Sequence, residues 1–197
     1  MFAESITAEE IEKLPLTAFG GKIEVIDKPD RSFNNAIRYL ASKKILGFDT
    51  ESRPCFSPDE PRHGTALVQL SGAEKAFLFR VKTLGMHRRL LRILGNPSII
   101  KVGAAVLEDV RGLQRISGFE PAGFVDLQKM VESYGIHDKS VKKMAAIVLG
   151  VRISKTQQLS NWEAETLTDA QKLYAATDAW ICREMYKQLQ MSEKCTK

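Results

Sequence analysis

Three short stretches of this chain carry side chains that could do chemistry together: Asp49 with Glu51, Glu108 with Asp109, and Tyr174 with Asp178. Asp49 and Glu51 close an apolar run, Ile45-Leu46-Gly47-Phe48, that reads as a strand. Successive side chains of a strand alternate between faces, so the two carboxylates point the same way. Like charges this close repel, and partial burial penalises each of them. A divalent cation held by hard oxygen ligands would relieve both costs. A strand that runs out into water would relieve them too, and Asp-x-Glu by itself does not separate the two.

Glu108 and Asp109 follow a second apolar run, 99–104, at what reads as the start of a helix. Acidic residues there favour the partial positive charge of the helix N-terminus, so capping alone explains them. Gly103 is consistent with a close backbone or ligand approach, although strand glycines also mark bulges. In Tyr174-Ala175-Ala176-Thr177-Asp178-Ala179 the tyrosine and aspartate lie four apart, which puts them on one helical face. The alanines between them would let that helix pack closely. A plain Tyr–Asp surface pair has the same spacing.

In combination the three pieces are far more specific. A strand Asp-x-Glu, a helix-start Asp and a helical Tyr-x-x-x-Asp, in that order, resemble the DEDD exonucleases of the DnaQ-like group, in the branch with tyrosine in the last motif. Gly47-Phe48-Asp49-Thr50-Glu51-Ser52-Arg53-Pro54 looks like the first motif of the Werner-type exonuclease domain. Ser160-Asn161-Trp162-Glu163, Leu167-Thr168, Gln171 and the Tyr174–Ala179 stretch look like the third. The resemblance covers about residues 22–190. It implies an α/β fold: a ribonuclease H-like mixed sheet of five to six strands flanked by helices.

It also implies roles. Asp49, Glu51, Asp109 and Asp178 would hold two divalent cations, Mg²⁺ or Mn²⁺, and Tyr174 would orient the attacking water. Glu108 competes for the second motif, but the register of Asp109 from Gly103 matches the family. Two metals can serve both the attacking and the leaving oxygen of a phosphodiester, and bound water loses its proton more easily beside a cation. Thr50 is expected to meet the terminal nucleotide and Lys155 to contact phosphate. Asn161 reads as helix-entry structure, Trp162 as a packing anchor and Asp126 as a helix cap.

The elements that must position these groups can be read from periodicity. A capping box at Thr7-Ala8-Glu9-Glu10 starts a short helix in an N-terminal arm, 1–21, broken by Pro15 and Gly20-Gly21. An edge strand at 22–26, a helix around 33–40, the 45–49 strand and two strands at 65–70 and 76–80 follow, the last two joined by a turn at 71–74. Residues 84–94 read as one helix stopped by Asn96-Pro97. The 99–104 strand, a helix at 107–116 and a short strand at 124–126 come next. Helical period then dominates 127–134, 140–149 and 168–190, leaving a polar tail at 191–197. The domain proper is therefore expected at 22–190.

A chain of 197 residues suits one domain. The net charge of +5 is mild, but basic residues crowd 80–92 and 139–155, as a polyanion partner would explain. Three cysteines, Cys55, Cys182 and Cys195, form no CxxC and argue against a disulfide framework or zinc ribbon. His63, His87 and His137 are scattered and read as surface or packing residues. No run approaches a membrane span, and the first residues do not read as a secretory signal, so a cytoplasmic protein is expected.

The expected activity is removal of nucleotides from a nucleic acid with a free 3′ end, with weak sequence preference and salt-sensitive binding. DNA is favoured, because no second helical domain of the ribonuclease D kind follows residue 190. Trimming of RNA 3′ ends by ribonuclease D-like chemistry is the alternative, and a catalytically silent binding module on the same fold is another. No membrane or protein partner is inferred.

Overall fold

The computed structural model describes residues 2–57, 60 and 63–194. The described strands form one six-stranded sheet in the order β1-β4-β3-β2-β5-β6. They are β1 (Lys22–Ile26), β2 (Ile45–Ser52), β3 (Thr65–Ser71), β4 (Lys75–Arg80), β5 (Ile100–Gly103) and β6 (Phe124–Asp126). The β2–β3 and β3–β4 pairs are antiparallel, and β1–β4, β2–β5 and β5–β6 are parallel. The sheet is thus mixed and α/β as the sequence implies, with the 22–26 strand on an edge.

Helices α1 (Ala8–Glu12), α2 (Arg31–Ala41), α3 (Val81–Leu84), α4 (Arg88–Leu94), α5 (Val106–Ile116), α6 (Leu127–Met130), α7 (Val141–Leu149) and α8 (Asp169–Gln190) cover the sheet, with a 3-10 turn at Val131–Tyr134. One core layer unites Phe33 and Leu40 of α2, Leu90 of α4 and Val110 of α5 with Leu46, Phe48, Val68 and Phe79 of the strands. On the opposite face α8 lies across the central strands and meets Leu67, Leu78 and Val102. Strand alternation follows from this: Leu46 and Phe48 face α2 and α5, while Gly47 faces α8.

Gly47 permits that contact. A Cβ at this position would lie 1.7 Å from the carbonyl oxygen of Ala179, so the α8 backbone rests directly on β2. The alanines at 175, 176 and 179 are all fully buried there. The start of α8 is set by a complete capping box between Thr168 and Gln171.

The helix expected at 84–94 is divided. Gly85 adopts φ +67, which ends α3, and His87 opens α4 by accepting the Arg89 N–H at Nδ1, 3.2 Å away. Residues 2–21 are also joined to the body at defined points. Ile11 and Phe19 are buried, and Leu16 bridges to Arg152. The Thr7–Glu10 capping box forms as expected. At the other end, residues 195–197 of the expected tail lie outside the described residues, as does Cys195.

Gly47→Ala is expected to destabilise the protein by about 3 kcal/mol or more, because its methyl meets rigid backbone and not a side chain that can rotate away. Urea denaturation of the two proteins measures this difference.

Candidate active site

The sequence-expected residues gather around the C-terminal end of β2. Asp49 and Glu51, on the α8 face of the strand, lie with Asp178 so that one carboxylate oxygen from each falls within 4.8 Å of the others. Asp178 is 3% exposed. Tyr174, one helical turn earlier, points the same way, and its hydroxyl accepts from the Lys155 ammonium that also holds Asp178. Its ring packs against Trp162 with centroids 5.8 Å apart, and Trp162 is wholly buried, so the anchor reading of that tryptophan holds.

Asp109 reaches the same strand end from the other side. Thr50 faces α5, and its hydroxyl donates to Asp109 Oδ1 at 2.6 Å. Asp109 therefore stands outside the three-carboxylate group but next to it. Glu108 turns outward, 72% exposed, and pairs with Arg111 at 2.8 Å. The direction of α5 is set just upstream. Ala105 precedes the helix at φ 57, a left-handed conformation rare for a residue with a Cβ, and its N–H is held by Asp126 Oδ1 at 3.2 Å. Asp126 also caps α6 through the Gln128 N–H at 2.9 Å, in line with its expected role. Gly103 fits the close-approach reading, since a Cβ there would lie 2.7 Å from the Phe48 carbonyl oxygen.

Lys155 enters the cluster directly. Its ammonium is 2.7 Å from Asp178 Oδ2 and donates to the Tyr174 hydroxyl at 3.5 Å. The sequence placed Lys155 near substrate but gave no sign of this ion pair, because the partner is 23 residues away in the chain. Asn161 serves helix entry, accepting from Gln171 at its carbonyl and from the Glu163 N–H at Oδ1.

Part of each basic segment is taken up by the fold, while Lys82, Arg88 and Arg92 stay exposed. Arg80 is 6% exposed and donates to the carbonyls of Ala164 and Glu165, tying the loop before α8 to the sheet. Lys139, Lys142, Lys143 and Arg152 each have a carboxylate partner: Glu132, Glu12, Asp138 and Glu12 in turn. The buried Lys101, unforeseen as a special residue, donates to the carbonyls of Asn96 and Ile99 at 2.7 Å each. Cys55 and Cys182 are not in disulfides. Among the described residues one other group of potential ligands, Cys55, Glu60 and His63, lies in the β2–β3 connection. There Glu60 already accepts from the Phe56 N–H and pairs with His63 and Arg53. His87 packs its ring on Phe33 at 4.6 Å and His137 lies at the surface, as expected, while the cap that His87 also supplies to α4 was not foreseen.

The electrostatics of the central group are unbalanced. Burial, then the neighbouring charges of Asp178 and Asp109, raises Asp49 well above the carboxylate range. Burial, then Asp49, pushes Glu51 up to about 9. Burial raises Asp109 to about 6 against the opposing Thr50 hydrogen bond, and burial also raises Asp178 although Lys155 opposes it. One ammonium among these acids leaves excess negative charge. Asp178 Oδ1 is buried and has no hydrogen-bond partner. A donor set of carboxylate oxygens with an unmatched buried oxygen fits hard divalent cations.

Clefts flank the group. One of about 500 Å³ opens beside Thr50 and Asp109 and includes His63 and Arg115. A smaller, largely apolar one of about 180 Å³ lies beside Tyr174 and is closed by Leu16, Thr17 and Ala18.

These shifts have a direct consequence for stability. Acids whose folded pKa is raised bind protons more tightly folded than unfolded, so their contribution weakens as pH rises. For Glu51 the window runs from 4.5 to about 9. In EDTA, the melting temperature of Glu51→Gln relative to wild type is expected to rise across that window, and added Mn²⁺ should narrow the gap by stabilising wild type. A pH-independent difference in scanning calorimetry would contradict the assignment of buried, uncompensated charge to Glu51.

The mouse bifunctional 3′-5′ exonuclease/ATP-dependent helicase WRN is 31% identical over 193 residues, covering 90% of this chain and 13% of the relative. The Drosophila melanogaster exonuclease 3′-5′ domain-containing protein 2 is 34% identical over 160 residues, 79% of this chain and 27% of that protein. The chain thus spans under a third of the length of these relatives. In fold it is similar to Escherichia coli RNase D, an exoribonuclease involved in structured RNA processing: the TM-score is 0.76 at 23% identity, over 86% of this chain and 44% of the other. The family model described as 3′-5′ exonuclease matches residues 24–192, and the chain belongs to that family.

Proposed function

We propose that this domain hydrolyses DNA stepwise from the 3′ end, releasing nucleoside 5′-monophosphates, with Asp49, Glu51, Asp109 and Asp178 as ligands of two divalent cations, Mg²⁺ or Mn²⁺. The observation that carries the reading is the convergence of Asp49, Glu51 and Asp178 within 4.8 Å, with Tyr174 beside them through Lys155. When bound, the cations would activate a water and stabilise charge on the attacking and leaving oxygens.

The chain's own groups have separable tasks. Asp49 and Glu51 offer oxygens from rigid strand backbone, and Asp178 offers one from a helix fixed on that strand. Thr50 holds Asp109 in place through its hydroxyl while lining the larger cleft, where a terminal nucleotide would lie. Burial and then the charge of Asp178 push the Tyr174 hydroxyl far above its ordinary value. Its hydroxyl is suited to hold a water in line by hydrogen bonding. Lys155, at the mouth of the site, is suited to a phosphate contact.

DNA is favoured because the chain resembles the Werner-type branch and because the mouse relative matches along 90% of this chain. RNA remains the competing substrate, supported by the fold shared with an exoribonuclease. The cytoplasm suits two cysteines that are not disulfide-bonded.

Digestion of end-labelled DNA and RNA oligonucleotides side by side, with 3′-blocked controls and EDTA, tests the whole reading. Laddering from the free 3′ end of DNA, dependent on metal, is expected. Binding without product would identify a silent module. Asp49→Asn and Asp178→Asn should each lower kcat on the order of 10³-fold, the loss of several kcal/mol of transition-state stabilisation. Wild-type turnover in either folded variant would sink the assignment. Tyr174→Phe is expected to reduce kcat by about 10²-fold with a much smaller change in KM.

A further inference from the structure

Lys155 holds a position that a phosphate contact alone does not explain. Its ammonium faces inward, 2.7 Å from Asp178 Oδ2, and the lysine side chain is 27% exposed against 4% for the aspartate. An ion pair this close to full burial is not the ordinary surface pair that contributes little. The lysine is also aimed by its backbone. Arg152 donates its N–H to Pro15 at 3.0 Å and accepts from Thr17 at 2.9 Å, and Ile153 is buried, so the segment leading to Lys155 is anchored. The flexible four-carbon stem beyond that anchor leaves the ammonium free to move as a point charge.

We propose that Lys155 is a resident counterion of the carboxylate cluster, competing with a divalent cation for Asp178. The proposal rests on the metal-binding reading given above. Asp178 carries one oxygen on Lys155 and one buried oxygen without a partner. A cation drawn to this group meets an ammonium on the same carboxylate, and must displace it or bear its repulsion. In a partly buried site that repulsion is large. Lys155 therefore holds the acids together before a cation binds and limits how tightly the cation is held. Once moved, its charge becomes available to the anionic substrate at the mouth of the site. Lys155 is in this sense a positioning residue, coupling cation binding to phosphate contact.

The test is direct Mn²⁺ binding without substrate, followed by electron paramagnetic resonance and calorimetry at one fixed pH. Lys155→Met and Lys155→Gln are expected to bind Mn²⁺ about tenfold more tightly than wild type, the order set by removing one nearby charge, while Lys155→Arg stays close to wild type. In EDTA the two neutral variants should melt at lower temperature, and saturating Mn²⁺ should restore them. In an Asp178→Asn background the gain from Lys155→Met should vanish. Circular dichroism checks that each variant is folded, and Lys155→Gln stands in if Lys155→Met is not. Unchanged Mn²⁺ affinity in the neutral variants overturns the counterion role alone. Weaker affinity also overturns it, and assigns Lys155 to holding Asp178 in a ligating position. If wild type and variants all fail to bind Mn²⁺ saturably, the metal-binding reading falls as well.

Discussion

The structure turns on negative charge that is buried without enough positive charge to match it. Asp49, Glu51 and Asp178 gather at the C-terminal end of the interior strand β2, with Asp109 just across the strand, and among the described residues one ammonium, that of Lys155, reaches them. No packing of apolar side chains can relieve that imbalance. Burial and mutual repulsion push the acids towards their protonated forms unless cations supply the missing charge. A fold that maintains such a group at a stability cost is one in which the group itself is useful.

Maintaining it requires rigid support. The missing side chain at Gly47 lets α8 sit on β2 at backbone contact, which brings the Tyr174–Asp178 face to the strand carrying Asp49 and Glu51. The capping box at Thr168 and Gln171 determines where that helix begins. On the far side the left-handed Ala105 and its bond to Asp126 aim α5, so that Asp109 meets Thr50. The N-terminal segment contributes too: the Phe19 N–H is bound at 3.0 Å by Thr177, the residue beside Asp178, and Arg152 is gripped a few residues before Lys155. The N-terminal segment thus bears on the same few side chains.

The basic residues show why composition is a weak guide to recognition. The clusters at 80–92 and 139–155 look like nucleic-acid surfaces in sequence. In the fold Arg80 is buried against loop carbonyls, and most of the second cluster neutralises nearby acids. Family membership, taken with the carboxylate geometry, carries the functional reading where net charge does not.

The sequence by itself determined everything that depends on a few neighbouring residues. Alternation put Asp49 and Glu51 on one strand face, four-residue spacing put Tyr174 with Asp178, and the Thr7–Glu10 capping box appears where it was read. It also placed the strand edge at 22–26 and most helix positions. Only the tertiary structure decided which faces meet. It turned Asp109 inward and Glu108 outward, brought Lys155 onto Asp178 and folded Arg80 into the interior. The physical reason is separation along the chain. Local backbone geometry sets the direction of a side chain on its own element. The partner that side chain finds depends on packing between residues tens of positions apart, which no short pattern encodes.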